Sequence, residues 1–149
     1  MAYIPRLVKK KLGEILIEAG LVREQQINEA LKQQKGSGDP LGEVLVRMGA
    51  LKEEDIAYAL ARQYGLPYID ASRYAIQGEF MTLLPPSLMD QHRMVVLDRI
   101  GDFLIIAIAG VIDTDLLDQI EKKTKCQVFL YVSTYSQVRE AIKKHYQRA

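Results

Sequence analysis

The first 63 residues carry one pattern twice. KLGEILIEAGLVREQQINEALKQQ, Lys11 to Gln34, returns as PLGEVLVRMGALKEEDIAYALARQ, Pro40 to Gln63, in one register and with no internal gap. Ten of the 24 aligned positions are identical: Leu12/Leu41, Gly13/Gly42, Glu14/Glu43, Leu16/Leu45, Gly20/Gly49, Glu24/Glu53, Ile27/Ile56, Ala30/Ala59, Leu31/Leu60 and Gln34/Gln63. Others exchange like for like, as in Ile15/Val44, Ile17/Val46 and Arg23/Lys52. Two copies of a short unit can pack about a pseudo-twofold axis. A surface built that way suits a ligand that is itself two linked copies of one group.

Each copy reads as helix, turn, helix. Leu12, Ile15, Leu16 and Ala19 recur at helical spacing, Gly20 stops that helix, and Ile27, Ala30 and Leu31 stripe a second one. The second copy repeats the arrangement with Leu41, Val44, Leu45 and Met48, then Gly49, then Ile56, Ala59, Leu60 and Ala61. Lys35-Gly-Ser-Gly-Asp39 is a five-residue spacer, and its glycines with Pro40 predict a turn into the third helix. Gly65-Leu66-Pro67 ends the helical half.

Beyond an irregular passage the pattern changes. Pro85 and Pro86 suit the first turn of a short helix through Met89. Met94 to Leu97 and Phe103 to Ile108 read as strands joined around Ile100-Gly101-Asp102. Thr114 to Lys123 is an amphipathic helix, Val128 to Val132 a third strand, and Thr134 with Gln137 forms a capping-box signature for a last helix carrying Val138 and Ile142. The expected fold is therefore α+β: an N-terminal four-helix tandem repeat over residues 9–65, a connecting segment at 66–81, and a small αββαβα unit at 82–147.

Composition removes several classes of function. A length of 149 residues with 48% hydrophobic content suffices for a core. A formal net charge of +1 argues against a DNA- or RNA-binding domain, and the run Arg6, Lys9, Lys10 and Lys11 reads as a solvated tail. Cys126 is the only cysteine, which excludes disulfide scaffolds and cysteine-ligated zinc and predicts a buried thiol. No stretch approaches the roughly 20 apolar residues of a membrane span, and no signal-peptide core opens the chain, so no membrane insertion and a cytoplasmic location are expected. There is no GxxxxGK[ST] phosphate loop, no GxGxxG after a strand and no HExxH. His92 and His145 lie apart from acidic or cysteine partners, and Asp113, Asp115 and Asp118 suit a helix N-terminus better than a calcium loop. No catalytic residue, metal or cofactor is expected, and the chain reads as a non-enzyme.

Each repeat copy resembles RLGxxLxxxGxxxxxxLxxxLxxQ, the motif of the MshEN domain, the N-terminal GspE-type domain of type II secretion and type IV pilus assembly ATPases. In that family two such motifs, five residues apart, bind cyclic di-GMP. The segment LLPPSLMDQHRMVVLDRIGDFLIIAIA also resembles the part that follows in those proteins, so the likeness runs from about Lys9 to Tyr146. The resemblance implies a cyclic di-GMP-binding regulatory module. A protein-interaction adaptor of the same fold is the other reading. Implied partners are a secretion or pilus motor ATPase or an inner-membrane assembly protein, with the chain either part of a longer ATPase or separate from one.

By resemblance, Leu12, Leu16, Ile27 and Leu31, with Leu41, Leu45, Ile56 and Leu60, give the apolar surface under the ligand. Gly13 and Gly42 let it approach backbone, and Gln34 and Gln63 offer amides to guanine edges. The ligand is a flat, twofold-symmetric dianion, and helix N-termini at Leu12-Gly13 and Leu41-Gly42 are expected to help with donors. The motif's opening arginine is Lys11 in the first copy and Pro40 in the second. Lysine replaces a planar fork by a point charge, and proline offers no side-chain donor. The first copy is therefore expected to hold its half more firmly. At the hairpin exit, Ala109-Gly110-Val111 stands where relatives commonly have Ala-Asp-Pro.

Overall fold

A computed structural model describes residues 10–146. Arg6 and Lys9 of the basic run, and the outermost residues of the two expected units, lie outside the described residues. Lys10 is paired with Glu18 at 2.6 Å.

The repeat folds as four helices: α1 (Leu12–Glu18), α2 (Glu24–Ser37), α3 (Leu41–Arg47) and α4 (Glu53–Tyr64). The first helix of each copy ends in the same way. Gly20, at φ 73°, donates to Ile17 O and Leu21 donates to Leu16 O; Gly49, at φ 77°, and Ala50 repeat this on Val46 O and Leu45 O. These paired bonds satisfy the last carbonyls of each helix, and the left-handed residue they need is a glycine in both copies. The second helices also start alike. The side chain of Gln26 accepts from Arg23 N–H at 2.8 Å, and that of Asp55 accepts from Lys52 N–H at 3.0 Å.

One expectation is corrected here. The five-residue spacer is not all turn, because Lys35, Gly36 and Ser37 continue α2 and the helix closes at Gly38, φ 73°. Once a helix is nucleated each further residue adds a hydrogen bond. That outweighs the roughly 1 kcal/mol penalty of one glycine.

The copies pack crosswise, α1 on α4 and α2 on α3. Gly13 and Gly42 are buried, and the space where a side chain would stand is filled by Ile27 in the first copy and by Ile56 and Leu12 in the second. Leu16, Leu45 and Leu60 are fully buried in this core.

The remaining elements are two 3₁₀ turns (Ala71–Arg73 and Glu79–Thr82), α5 (Pro86–Gln91), β1 (Met94–Ile100), β2 (Phe103–Ile108), α6 (Thr114–Thr124), β3 (Gln127–Val132) and α7 (Tyr135–His145). The sheet order is β1-β2-β3, with β1 antiparallel and β3 parallel to β2. β1 runs past its expected end at Leu97 because a register shift between Val96 and Asp98 lets the ladder continue on a more exposed segment. Tyr74 donates to Asp98 there at 2.7 Å. Tyr68 adds a parallel bridge to Val132, and Ser133 Oγ donates to the Ile69 carbonyl, which fastens the irregular passage to the end of β3. The capping box of Thr134 and Gln137 is formed as read from sequence, Asp113 caps α6 by accepting from Leu116 N–H, and Cys126 is a buried free thiol.

The halves meet through the second copy. α4 lies against β3. Glu53 Oε1 accepts from Ser136 N–H at 2.9 Å and from its hydroxyl at 2.8 Å, and the Tyr64 hydroxyl accepts from Ile112 N–H at 3.3 Å. Arg93 reaches Glu43 at 3.0 Å.

Candidate ligand cleft at the second repeat

Where α3 and α4 face the α+β half, a cavity of about 270 Å³ opens. Its floor is apolar: Leu12, Pro40, Leu41, Val46, Ile56 and Ala57, with Gly42 at the first turn of α3. Its far wall belongs to three junctions of the other half, namely Gln91-His92-Arg93, Ala109-Gly110-Val111 and Ser133-Thr134-Tyr135. Glu43 and Glu53 stand between floor and wall.

Of the residues expected at a site, the cavity gathers Leu12, Pro40, Leu41, Gly42 and Ile56. Lys11, Gly13, Leu16, Ile27, Leu31, Gln34, Leu45, Leu60 and Gln63 do not line it. Leu16, Leu45 and Leu60 have no exposed surface, so they lie beneath any ligand face instead of forming it, and Ile27 is 8% exposed. Leu31 is 40% exposed, Gln34 and Gln63 are half-buried, and Lys11 is exposed at the start of α1. The cleft lies on the second copy, and the first copy lends it Leu12.

The helix N-termini at Leu12-Gly13 and Leu41-Gly42 open short helices. α1 and α3 have seven residues each, about two turns, and their aligned dipoles are correspondingly few. Side chains also present polar groups to the cleft.

The strongest of these is Arg93. Its Nη1 donates to the Asp90 carbonyl at 2.6 Å and its Nη2 to Glu43 Oε2 at 3.0 Å, while its Cζ lies 4.6 Å from the centre of the Tyr135 ring. A guanidinium held over an aromatic face gains from the ring quadrupole and keeps its in-plane donors for acceptors. Burial, reinforced by the Glu43 carboxylate, raises the Tyr135 pKa above the ordinary 10.0. Sequence reading missed Arg93, Glu43 and Tyr135. One signal did point to this wall: the hairpin exit Ala109-Gly110-Val111, singled out as a departure, lines the cavity.

Among the described residues no group of three or more His, Cys, Asp and Glu is placed to hold a metal ion. Among them, too, no helix is long and apolar enough to cross a membrane.

A crosswise helical repeat docked by its second copy on a three-stranded α+β unit, with a cleft at the junction, defines the class: a two-part α+β module with a cleft between its halves. The chain belongs to the MshEN domain family, whose model matches residues 64–149. Both motif copies, which end at Gln63, lie before that segment, so the two signals rest on different residues.

Two type IV pilus assembly ATPases named PilB are similar in sequence. That of Myxococcus xanthus is 29% identical over 91% of this chain, and that of Thermus thermophilus is 32% identical over 92%. The chain spans only 24% and 16% of their lengths. Among solved structures, MshE with cyclic di-GMP matches at TM-score 0.70 and 31% identity, covering 93% of this chain and all of that one. The N-terminal domain of XpsE matches at TM-score 0.72 over 94% of this chain and 99% of that one; at 21% identity it supports the fold alone.

Proposed function

We propose that this chain is a non-catalytic, cytoplasmic regulatory module that binds cyclic di-GMP and acts with a type IV pilus or type II secretion ATPase. The observation that carries the reading is the cleft itself, which opens at the start of the second motif copy and is lined by five motif positions, Leu12, Pro40, Leu41, Gly42 and Ile56. The solved relative MshE with cyclic di-GMP supports the same ligand. A volume of about 270 Å³ is near the lower end for small-molecule sites. It suits one guanine with its phosphate, so the second half of the ligand would extend past Leu12 toward Lys11, Leu31, Gln34 and Gln63. Leu16, Ile27, Leu45 and Leu60 would support it from below, and Gly13 would keep α1 close to Ile27.

One observation favours the adaptor reading. Two carboxylates, Glu43 and Glu53, border the cleft, while Lys11 is outside it and Pro40 brings no donor. A dianion entering this cleft meets only Arg93 as a fixed positive charge among its lining residues. Calorimetric titration of the chain at about 100 µM with cyclic di-GMP separates the readings, because affinities down to tens of micromolar, roughly −6 kcal/mol, give measurable heat there. Saturable heat is expected. No heat, together with capture of a cognate motor ATPase that is indifferent to the nucleotide, would establish the adaptor instead.

A further inference from the structure

Arg93 holds a backbone conformation that its residue type disfavours. It lies at φ 53°, in the left-handed region, and Lys125 is the only other non-glycine with positive φ among the described residues. Such a conformation persists where the surroundings over-determine it, and it clusters at sites with a task. Its effect is to turn the guanidinium back over α5 and into the cleft wall, where Asp90, Glu43 and Tyr135 fix it. Its Nε is buried without a hydrogen-bond partner. An unpaired buried donor carries a desolvation cost that an incoming acceptor would relieve.

Pro40 lines the same cavity. This is the position where the motif calls for arginine, and here it has no donor. Glu43 lies one turn further along α3, and it engages Arg93 through a single oxygen at 3.0 Å with both side chains about a quarter exposed. The identical residue of the first copy, Glu14, is exposed. The glutamate is common to both copies, and its engagement by a guanidinium is particular to the cleft.

We infer that Arg93 supplies, from the α+β half, the guanidinium that the second repeat lacks at Pro40, and that Glu43 occupies it as an internal competitor of the anionic ligand. The inference rests on the cyclic di-GMP reading above. A carboxylate and a phosphate present similar pairs of oxygens, and a guanine edge offers O6 and N7 to the same fork of donors. The ligand therefore exchanges one acceptor for another at Arg93. Glu43 also ties α3 to the turn before β1, so that exchange releases one clasp between the halves while those of Glu53 on Ser136 and Tyr64 on Ile112 remain.

The test is titration of cyclic di-GMP into the wild type, Glu43→Gln, Arg93→Asn and Glu14→Gln, with far-UV circular dichroism and thermal melts on each. Asparagine tolerates the left-handed conformation, so R93N keeps the turn and removes only the fork. E43Q is expected to bind about threefold or more tighter, R93N about tenfold or more weaker, and E14Q within about twofold of the wild type. Wild-type affinity in R93N would overturn the inference and leave the cyclic di-GMP reading standing. Unchanged affinity in E43Q would overturn the competitor role. Binding by E43Q alone would support that role and refute the reading for the native chain, whereas no binding by either protein would overturn both. If R93N fails to fold, the comparison of E43Q with E14Q decides.

Discussion

Leu31 and Leu60, Glu24 and Glu53, and Glu14 and Glu43 are the same residues at the same places of one repeat, and the two copies use them differently. Leu60 is fully buried and Leu31 is 40% exposed. Glu53 binds the start of α7 and Glu43 binds Arg93, while Glu24 and Glu14 are exposed. The helices and their caps are near copies, so local structure is not the cause. α4 is covered by the sheet and α2 is not. The duplication gives two equivalent faces, the α+β half takes one, and the cleft forms where it does.

The largest consequence concerns the leucines. Leu60→Ala removes a fully buried side chain from a packed core, and about 2–5 kcal/mol of stability should go with it. Leu31→Ala should cost less than about 1 kcal/mol, since its side chain keeps much of its contact with water. Urea denaturation of both variants measures the difference. Equal losses would mean that the first copy is covered as fully as the second, and the comparison would fail.

A smaller effect belongs to the acidic pair. Glu24 and Glu53 each open a helix, so replacing either by alanine loses the same favourable term with the helix dipole. Only Glu53 also accepts two hydrogen bonds from Ser136. Glu53→Ala should therefore destabilise by about 1–2 kcal/mol more than Glu24→Ala in the same denaturation assay. A difference below about 0.5 kcal/mol would show that the clasp at Ser136 does not hold the halves together.

Much of this was legible in the sequence where the governing interactions are local. Gly20 and Gly49 ended their helices, Thr134 and Gln137 formed their box, the hairpin formed where two apolar runs flank Ile100-Gly101-Asp102, and Cys126 was buried as its apolar surroundings required. What was not legible depends on contacts distant in the chain. Arg93 meets Glu43 across 50 positions and Ser136 meets Glu53 across 83. Identity between the copies also hides which face is covered.

The differences between the copies held that information. Asn28 and Lys32, both exposed, stand opposite Ala57 and Ala61, which are 1% exposed and half-buried. Glu29 stands opposite Tyr58, whose ring meets Tyr68 at 5.2 Å. A face that is polar in one copy and small or aromatic in the other marks the docked copy. Leu31 and Leu60, being identical, could not carry that signal.

The smallest effect tests how tightly the second copy is sealed. Tyr64 ends α4, its twin in the first copy is the exposed Lys35, and its hydroxyl accepts a hydrogen bond from Ile112 N–H. Burial raises its pKa above the ordinary 10.0, and the Ile112 bond offsets only part of that rise. A raised folded-state pKa gives a contribution that is complete below the unfolded value and is lost as pH climbs above it. Tyr74, pushed up to about 12 chiefly by its hydrogen bond to Asp98, and Tyr146, raised by burial, titrate in both proteins and cancel in a comparison of wild type with Tyr64→Phe. At pH 8 the variant should be less stable by about 1 kcal/mol for the lost bond. Between pH 10 and 11 the gap should narrow, because only the wild type must keep this phenol protonated to stay folded. A gap that stays constant across that range would mean that water reaches Tyr64 as freely as it reaches Lys35, and that the docked copy is open at its end.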